Sequence, residues 1–287
     1  MSKKQETVVN LTDTPISEIL KEIQQRGYYV ARTPETRRGQ TFIGDLSRWT
    51  GAKYTFAVVA DTHLGSKYQQ ITHLNTFYSI CAKRRIPLVL HVGDLTEGNG
   101  KMYRGQVYEM FAQGADAQRD YVVNNYPKRK GITTYVISGN HDQSFIKTDG
   151  YNIVMAICQQ RTDMVYIGDD VAYYMLGNIK IMLAHGTSGN AYAVSYKSQK
   201  LVEALPGGEK PHLLFLGHYH NPNIIPGYRN VETVQMPAFQ ASTPYMRAKG
   251  LHSFVAGLIV TIQEDKSGLA KVIYEMIPFY VHKKDDF

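Results

Sequence analysis

The chain has 287 residues, of which 43% are hydrophobic and 20% charged, and carries a formal net charge of +7. That is length for one large domain or two small ones at an ordinary globular balance, so wholesale disorder is excluded. No apolar run approaches the ~18 residues of a membrane span, and Met1 to Leu20 lacks an apolar signal core, so a cytoplasmic protein with no membrane partner is expected.

Residues 12–26 read as an amphipathic helix, with Thr14 as cap, Pro15 at its first position and a stripe of Ile16, Ile19, Leu20 and Ile23. Gly27 stops it. Residues 28–50 are basic and turn-rich, with Arg37 and Arg38. A boundary near residue 50 therefore divides the chain into 1–50, a helix plus basic extension, and 51–287, the main domain. The extension either packs on the core or serves as a substrate arm.

From Tyr54 the grammar is strand and helix in alternation. Short apolar runs at 54–60, 87–92, 133–138, 179–184 and 212–217 read as strands, and 69–85, 103–126 and 192–205 read as helices. In the first of these helices Ile71, Leu74, Tyr78 and Cys81 share a face. The two cysteines, Cys81 and Cys158, are too few for a disulfide framework or a cysteine zinc site and are expected to pack inside helices. Alternation of this kind predicts a mostly parallel sheet with crossover helices. After His220 come 231–236, 253–262 and 270–277, strand upon strand, which suits a second, more antiparallel sheet.

Metal-ligand residue types stand where the predicted strands end: Asp61-Thr62-His63, Gly93-Asp94, Gly139-Asn140-His141-Asp142, His185-Gly186 and Gly217-His218-Tyr219-His220. Ligands of open parallel sheets bind outside the carboxyl ends of the strands. One such block would be noise, but five in order are not.

This set resembles the signature of the calcineurin-like metallophosphoesterases, and Ala60 to Gly65 is most similar to the SbcD-type DNA repair nucleases. The resemblance implies an α/β fold, a four-layer αββα sandwich with a dinuclear metal site at the C-terminal edge of the strands. It implies that Asp61, His63 and His220 hold one divalent ion, that Asn140, His185 and His218 hold the other, and that Asp94 bridges them. His141 becomes the general acid or substrate-orienting histidine. Imidazole and carboxylate without thiolate suit manganese first, with iron, zinc, cobalt or nickel as alternatives. Two such ions ~3.5–4 Å apart clamp a phosphoryl group, and a metal-bridging hydroxide attacks phosphorus.

The chain departs from both groups of relatives at Gly93-Asp94-Leu95-Thr96-Glu97-Gly98. The nucleases carry a histidine at the position of Glu97. The phosphatases carry an aspartate there, followed by an arginine where this chain has Gly98. Glu97 keeps the carboxylate and is expected to accept a hydrogen bond from His141, which makes it the second catalytic candidate. The missing arginine favours a diester over a monoester. The DNA-capping domain that follows the last histidine motif in the nucleases has no counterpart in the strand-rich 67 residues after His220.

Basic runs at Lys83-Arg84-Arg85 and Lys128-Arg129-Lys130 precede strands, so they are expected at the far end of the sheet as solvated charge. Lys67, Lys101, Arg104, Lys197, Lys200, Arg247 and Lys249 follow strands, near Tyr68, Tyr103, Tyr196 and Tyr245. Of these, Lys67, Lys101, Arg104, Tyr245 and Arg247 are the candidate substrate contacts, in a pattern that suits single-stranded nucleic acid. His73, His91, His212, His252 and His282 are expected to pack or face solvent. The reading is a two-metal phosphodiesterase, a nuclease acting on DNA. Its alternatives are an enzyme on small or cyclic diesters, a phosphatase, or a non-catalytic scaffold of the same fold. A protein partner or a homo-oligomer is compatible with any of these.

Overall fold

The computed structural model describes residues 39–189, 191–266 and 268–287. The helix expected at 12–26, Arg37 and Arg38 lie outside them. In chain order the elements are β1 (Gln40–Ile43), β2 (Lys53–Val59), α1 (Ile71–Lys83), β3 (Leu88–Val92), α2 (Ala115–Asn125), β4 (Thr133–Ser138), α3 (Gln143–Asp149), α4 (Ile153–Gln160), β5 (Met164–Asp169), β6 (Val171–Leu176), β7 (Ile179–His185), α5 (Tyr196–Ala204), β8 (Leu213–Gly217), β9 (Asn223–Tyr228), β10 (Val231–Gln235), α6 (Pro244–Ala248), β11 (Ala256–Asp265) and β12 (Gly268–Pro278).

Two six-stranded sheets result, ordered β1-β6-β7-β8-β10-β9 and β12-β11-β2-β3-β4-β5. Strands β2 to β5 are parallel, as are β7, β8 and β10. Period-two burial stacks the sheets, because successive side chains leave opposite faces. Phe56, Val58, Leu88, Leu90, Ile181, Leu183, Leu213 and Phe215 point between the sheets. Their neighbours Ala57, Val59 and Val89 pack instead on helices α1 to α4, with Leu74, Phe77, Tyr78 and Cys81 as the buried face of α1. Met182, Ala184, Leu214 and Leu216 cover the other outer face with Val202 of α5. The layers are therefore helix, sheet, sheet, helix, as the motif resemblance implied. Among the described residues no helix is long and apolar enough to cross a membrane.

Two sequence expectations change. The strands after His220 do not make a separate sheet. Strand β10 extends the first sheet beside β8, while β11 extends the second antiparallel to β2 and β12 pairs antiparallel with β11. Each lands on an open edge, which satisfies its ladder donors without a new layer. The stretch 103–126 is not one helix. Gly105 and Gly114, at φ 92° and 85°, cut it into a loop, a short 3-10 turn at Gln106–Glu109, and α2. Strand β1, within the segment 1–50, is an edge strand parallel to β6, which for its described residues agrees with the alternative that this segment packs on the core. Arg48, just after it, donates to the Pro87 carbonyl and to Thr133 Oγ1, both at 3.1 Å.

Phe215 sits fully buried between the sheets, edge-on to Phe56 at 6.1 Å between ring centroids. Phe215→Ala should therefore cost about 3–5 kcal/mol, read from denaturant unfolding. A loss under 1 kcal/mol would contradict a close-packed seam there.

Candidate metal centre

The strand ends that carry the motif residues meet at one rim. Strand β2 runs into Asp61 and His63, β3 into Asp94, β4 into Asn140 and His141, β7 ends on His185, and β8 runs into His218 and His220. Main-chain bonds tie the turns together: Asp61 N donates to Gly93 O and His63 N to Asp94 O, each at 3.0 Å. Asp61, His63, Asp94, His218 and His220 all have positive φ, between 45° and 89°. Backbone of that kind costs ~1–3 kcal/mol per residue and persists where surroundings over-determine it. Here the strand-end turns swing successive side chains inward together.

The seven expected ligands form two groups about Asp94. Asp61, His63 and His220 bring ligand atoms within 4.8 Å of one another, and Asp94, His185 and His218 do the same. Asn140 joins the second group, its Oδ1 3.1 Å from His185 Nε2 and 2.8 Å from His218 Nδ1. Asp94 Oδ2 stands 3.1 Å from His185 Nε2 and 3.7 Å from His63 Nε2, between the groups.

The far side of each imidazole decides what its near side offers. His185 Nδ1 donates to the Val92 carbonyl at 2.8 Å. Ser253 Oγ spends its proton on the Gln240 carbonyl, so at 3.3 Å it accepts from His220 Nδ1. His63 Nδ1 lies 3.2 Å from Glu97 Oε2, bent off the line of a formal hydrogen bond but facing a pure acceptor. All three therefore turn a lone pair inward. His63 Nε2 and His220 Nε2 face each other at 3.2 Å, and His185 Nε2 faces a carboxylate and an amide oxygen. Such an assembly of lone pairs is matched by cations at its centre, so the residues present fit divalent metal ions.

The electrostatics agree. Burial would raise both carboxyls, yet neighbouring imidazoles hold Asp61 below, and Asp94 well below, the usual range. Burial, with His185 nearby, lowers His218 to about 4. Burial would lower His185 too, but Asp94 and Asp61 push it up to about 10. The acidic pair draws positive charge to the centre of the cluster.

His141 lines the mouth of the site. Its main-chain N donates to Asp94 Oδ1 at 2.8 Å, and its Nδ1 donates to the main-chain carbonyl of Glu97 at 2.7 Å. This differs from the expected carboxylate contact. The Glu97 carboxylate is buried, as a working acid would be, but Gln106 and Gln240 amides donate to it at 3.1 and 2.8 Å and hold it toward His63.

A cavity of about 340 Å³ opens over the cluster. Of the candidate substrate contacts only Tyr245 lines it. Lys67, Lys101, Arg104 and Arg247 are exposed outside it, and Lys67 Nζ donates to the Tyr108 carbonyl at 2.9 Å. Lys128, Arg129 and Lys130 line an open depression at the starts of β3 and β4, away from the rim, as expected. His91 is buried, with Nε2 3.1 Å from Thr62 Oγ1, and belongs to neither group.

Sequence reasoning gave no role to Gln106, Gln240, Glu109 or Asp142. Asp142 is buried and accepts from Leu95 N, Thr96 N, Thr96 Oγ1 and Gly139 N at 2.7–3.0 Å, so one side chain clamps two strand-end loops. Burial, with Asp94 nearby, still pushes its carboxyl up to about 6. Its place in the Gly139–Asp142 block was the available signal.

Gly139 explains its own motif position, since a Cβ there would overlap the Asp94 carboxylate and main-chain N. Gly139→Ala should lower stability by about 1–3 kcal/mol, while Gly207→Ala, which meets open space, should change it little. Equal melting of both variants and wild type would contradict this packing of Asp94.

Comparison with known proteins agrees with the geometry. No curated protein matches the chain. Similar solved structures include Vps29 of Chaetomium thermophilum, at 13% identity over 78% of this chain and 97% of that one, with a TM-score of 0.41. Another is nuclease MPE of Pseudomonas putida, at 15% identity over 71% and 82%, with a TM-score of 0.31. The family model for the calcineurin-like phosphoesterases matches residues 54–240, which span all five strand-end blocks. The chain belongs to the calcineurin-like phosphoesterase family.

Proposed function

We propose that the protein is a two-metal phosphodiesterase acting on nucleic acid or its nucleotide diesters, DNA first among them. The observation that carries the reading is the inward-turned donor set beside a cavity whose lining, among the described residues, contains no lysine or arginine. A dianionic monoester would call for a further cation at the phosphate, whereas a monoanionic diester is served by the metals alone.

Asp61, His63 and His220 would hold one ion, Asn140, His185 and His218 the other, with Asp94 between. Bound there, two divalent ions would supply polarisation of the phosphoryl oxygens and a water acidic enough to act as nucleophile near neutral pH. The chain's own residues do the rest. Val92, Ser253 and Glu97 fix three imidazole tautomers. His141, with Nδ1 committed to the Glu97 carbonyl, keeps Nε2 as its free nitrogen. Burial would lower its pKa, but Asp94 and the Glu97 carboxylate and carbonyl outweigh that and raise it. In this scheme His141 gives its Nε2 proton to the leaving oxygen as the ester P–O bond breaks. Glu97 is a positioning residue in this scheme, acting through His63 with its carboxylate and through His141 with its carbonyl.

The purified protein should contain divalent metal, lose activity on chelation and regain it with Mn²⁺. It should prefer bis(p-nitrophenyl) phosphate to p-nitrophenyl phosphate in kcat/KM. A monoester preference would overturn the diesterase reading in favour of a phosphatase, and a metal-free, inactive protein would favour a scaffold. His141→Ala should lower kcat by ~10²–10⁴ with metal content retained.

Glu97→Gln separates positioning from proton transfer. An amide cannot supply the same pure acceptor to His63 Nδ1, so Mn²⁺ affinity measured by calorimetry should fall ~10- to 100-fold. Unchanged affinity would mean that the Glu97 carboxylate does not set the His63 tautomer.

A further inference from the structure

The cavity has one wall made of two rings. Tyr103 and Tyr245 stack with centroids 3.9 Å apart and planes at 19°, and both line the cavity. They come from segments distant in sequence, the loop ahead of the 3-10 turn and the first turn of α6. Buried Glu109 joins them. One of its carboxylate oxygens accepts from Tyr103 OH at 2.6 Å, and the other accepts from Tyr245 N at 2.9 Å. Thr243 caps α6 by accepting from Met246 N, which sets the start of the turn that carries Tyr245. The ring pair is therefore built before any ligand arrives, so little ordering cost falls on binding.

A separate, smaller space adjoins the cavity. Tyr219, Leu251 and His252 line both the main cavity and an adjoining space of about 160 Å³ that Lys197, Asn221 and Gln235 also line. The metal cluster thus lies beside an aromatic wall, with a polar, cationic space adjoining. Lys101, Arg104 and Arg247, outside the cavity, flank the two rings in sequence. Flat rings within the cavity and cations around it match a chain that alternates planar bases with phosphates. A cavity of this size admits a nucleotide rather than a stacked duplex.

We propose that Tyr103 and Tyr245 form a base-stacking subsite, so that the preferred substrate is a diester whose nucleobase adjoins the scissile phosphate, presented single-stranded or frayed. This rests on the diesterase reading and adds the substrate class to it. The metals supply hydrolysis. The rings supply selectivity.

The test compares two diesters with one leaving group, thymidine 5′-(p-nitrophenyl phosphate) and methyl p-nitrophenyl phosphate, with the metal-loaded full-length protein. Wild type should favour the nucleoside ester by roughly tenfold or more in kcat/KM, through KM. Tyr245→Ala should collapse that ratio toward one, and Tyr245→Phe, which keeps the ring, should preserve it. Metal content and melting temperature of each variant identify a folding defect, and Tyr245→Leu, which keeps bulk but no aromatic face and should also collapse the ratio, keeps the test decisive if the Ala variant fails to fold. A wild-type ratio near one, or a ratio unmoved in Tyr245→Ala, overturns the subsite while leaving the diesterase reading intact. Hydrolysis of neither ester overturns both.

Discussion

Asp94 is the point at which the strand ends are joined. Its main-chain carbonyl accepts from His63 after β2, its Oδ1 accepts from His141 after β4, and its Oδ2 faces His185 at the end of β7. The carboxylate is almost fully buried, where an isolated charge would be prohibitive. It is tolerated because imidazoles surround it, and the imidazoles are aimed because their far nitrogens are held by Val92, Ser253 and Glu97. Removing any of these acceptors frees a ring to flip its tautomer, which turns an N–H toward the centre in place of a lone pair.

That dependence accounts for the small residues around it. Gly139 leaves room for the Asp94 side chain, and Gly93, at φ 83°, lies so close to His185 that a Cβ would press on its ring. Loop bracing comes from Asp142, which holds the turn after β3 against the turn after β4. The strain in five left-handed ligand residues is thus met by a dense main-chain and carboxylate network rather than by the metals alone.

Much of the parallel core was legible, and the reason is physical. The strands at 54–60, 87–92, 133–138, 179–184 and 212–217 are buried on both faces, so each reads as a continuous apolar run. Elements at the sheet margins did not announce themselves. Strand β9 contains Pro226 and Gly227, which an edge strand tolerates and a sequence pattern counts against. Strands β5 and β6 are joined through Asp170 alone, at φ 53°, a left-handed position that an aspartate fills in place of the usual glycine. In the site, histidines and carboxylates were legible because their spacing follows strand ends. Gln106 and Gln240 were not, since an amide far away in sequence becomes a positioning group only when the fold brings it to Glu97.

The cations show the limit of placing residues by strand direction alone. Lys67, Lys101, Arg104 and Arg247 follow strands, yet they lie outside the cavity, whose described lining holds candidate metal ligands, tyrosines, Glu97, uncharged polar groups such as Gln240 and Thr243, and a few apolar side chains. A lysine or arginine among the ligands would compete with the metals for Asp61 and Asp94, because a buried carboxylate cannot distinguish an ammonium from a divalent ion by charge sign. Keeping fixed positive charge out of the cavity reserves those carboxylates for exchangeable ions. Positive charge outside the cavity can still attract an anionic polymer, at a strength that salt tunes. On the proposed reading, charge attraction falls at the rim, shape and stacking along the wall, and phosphoryl chemistry at the floor.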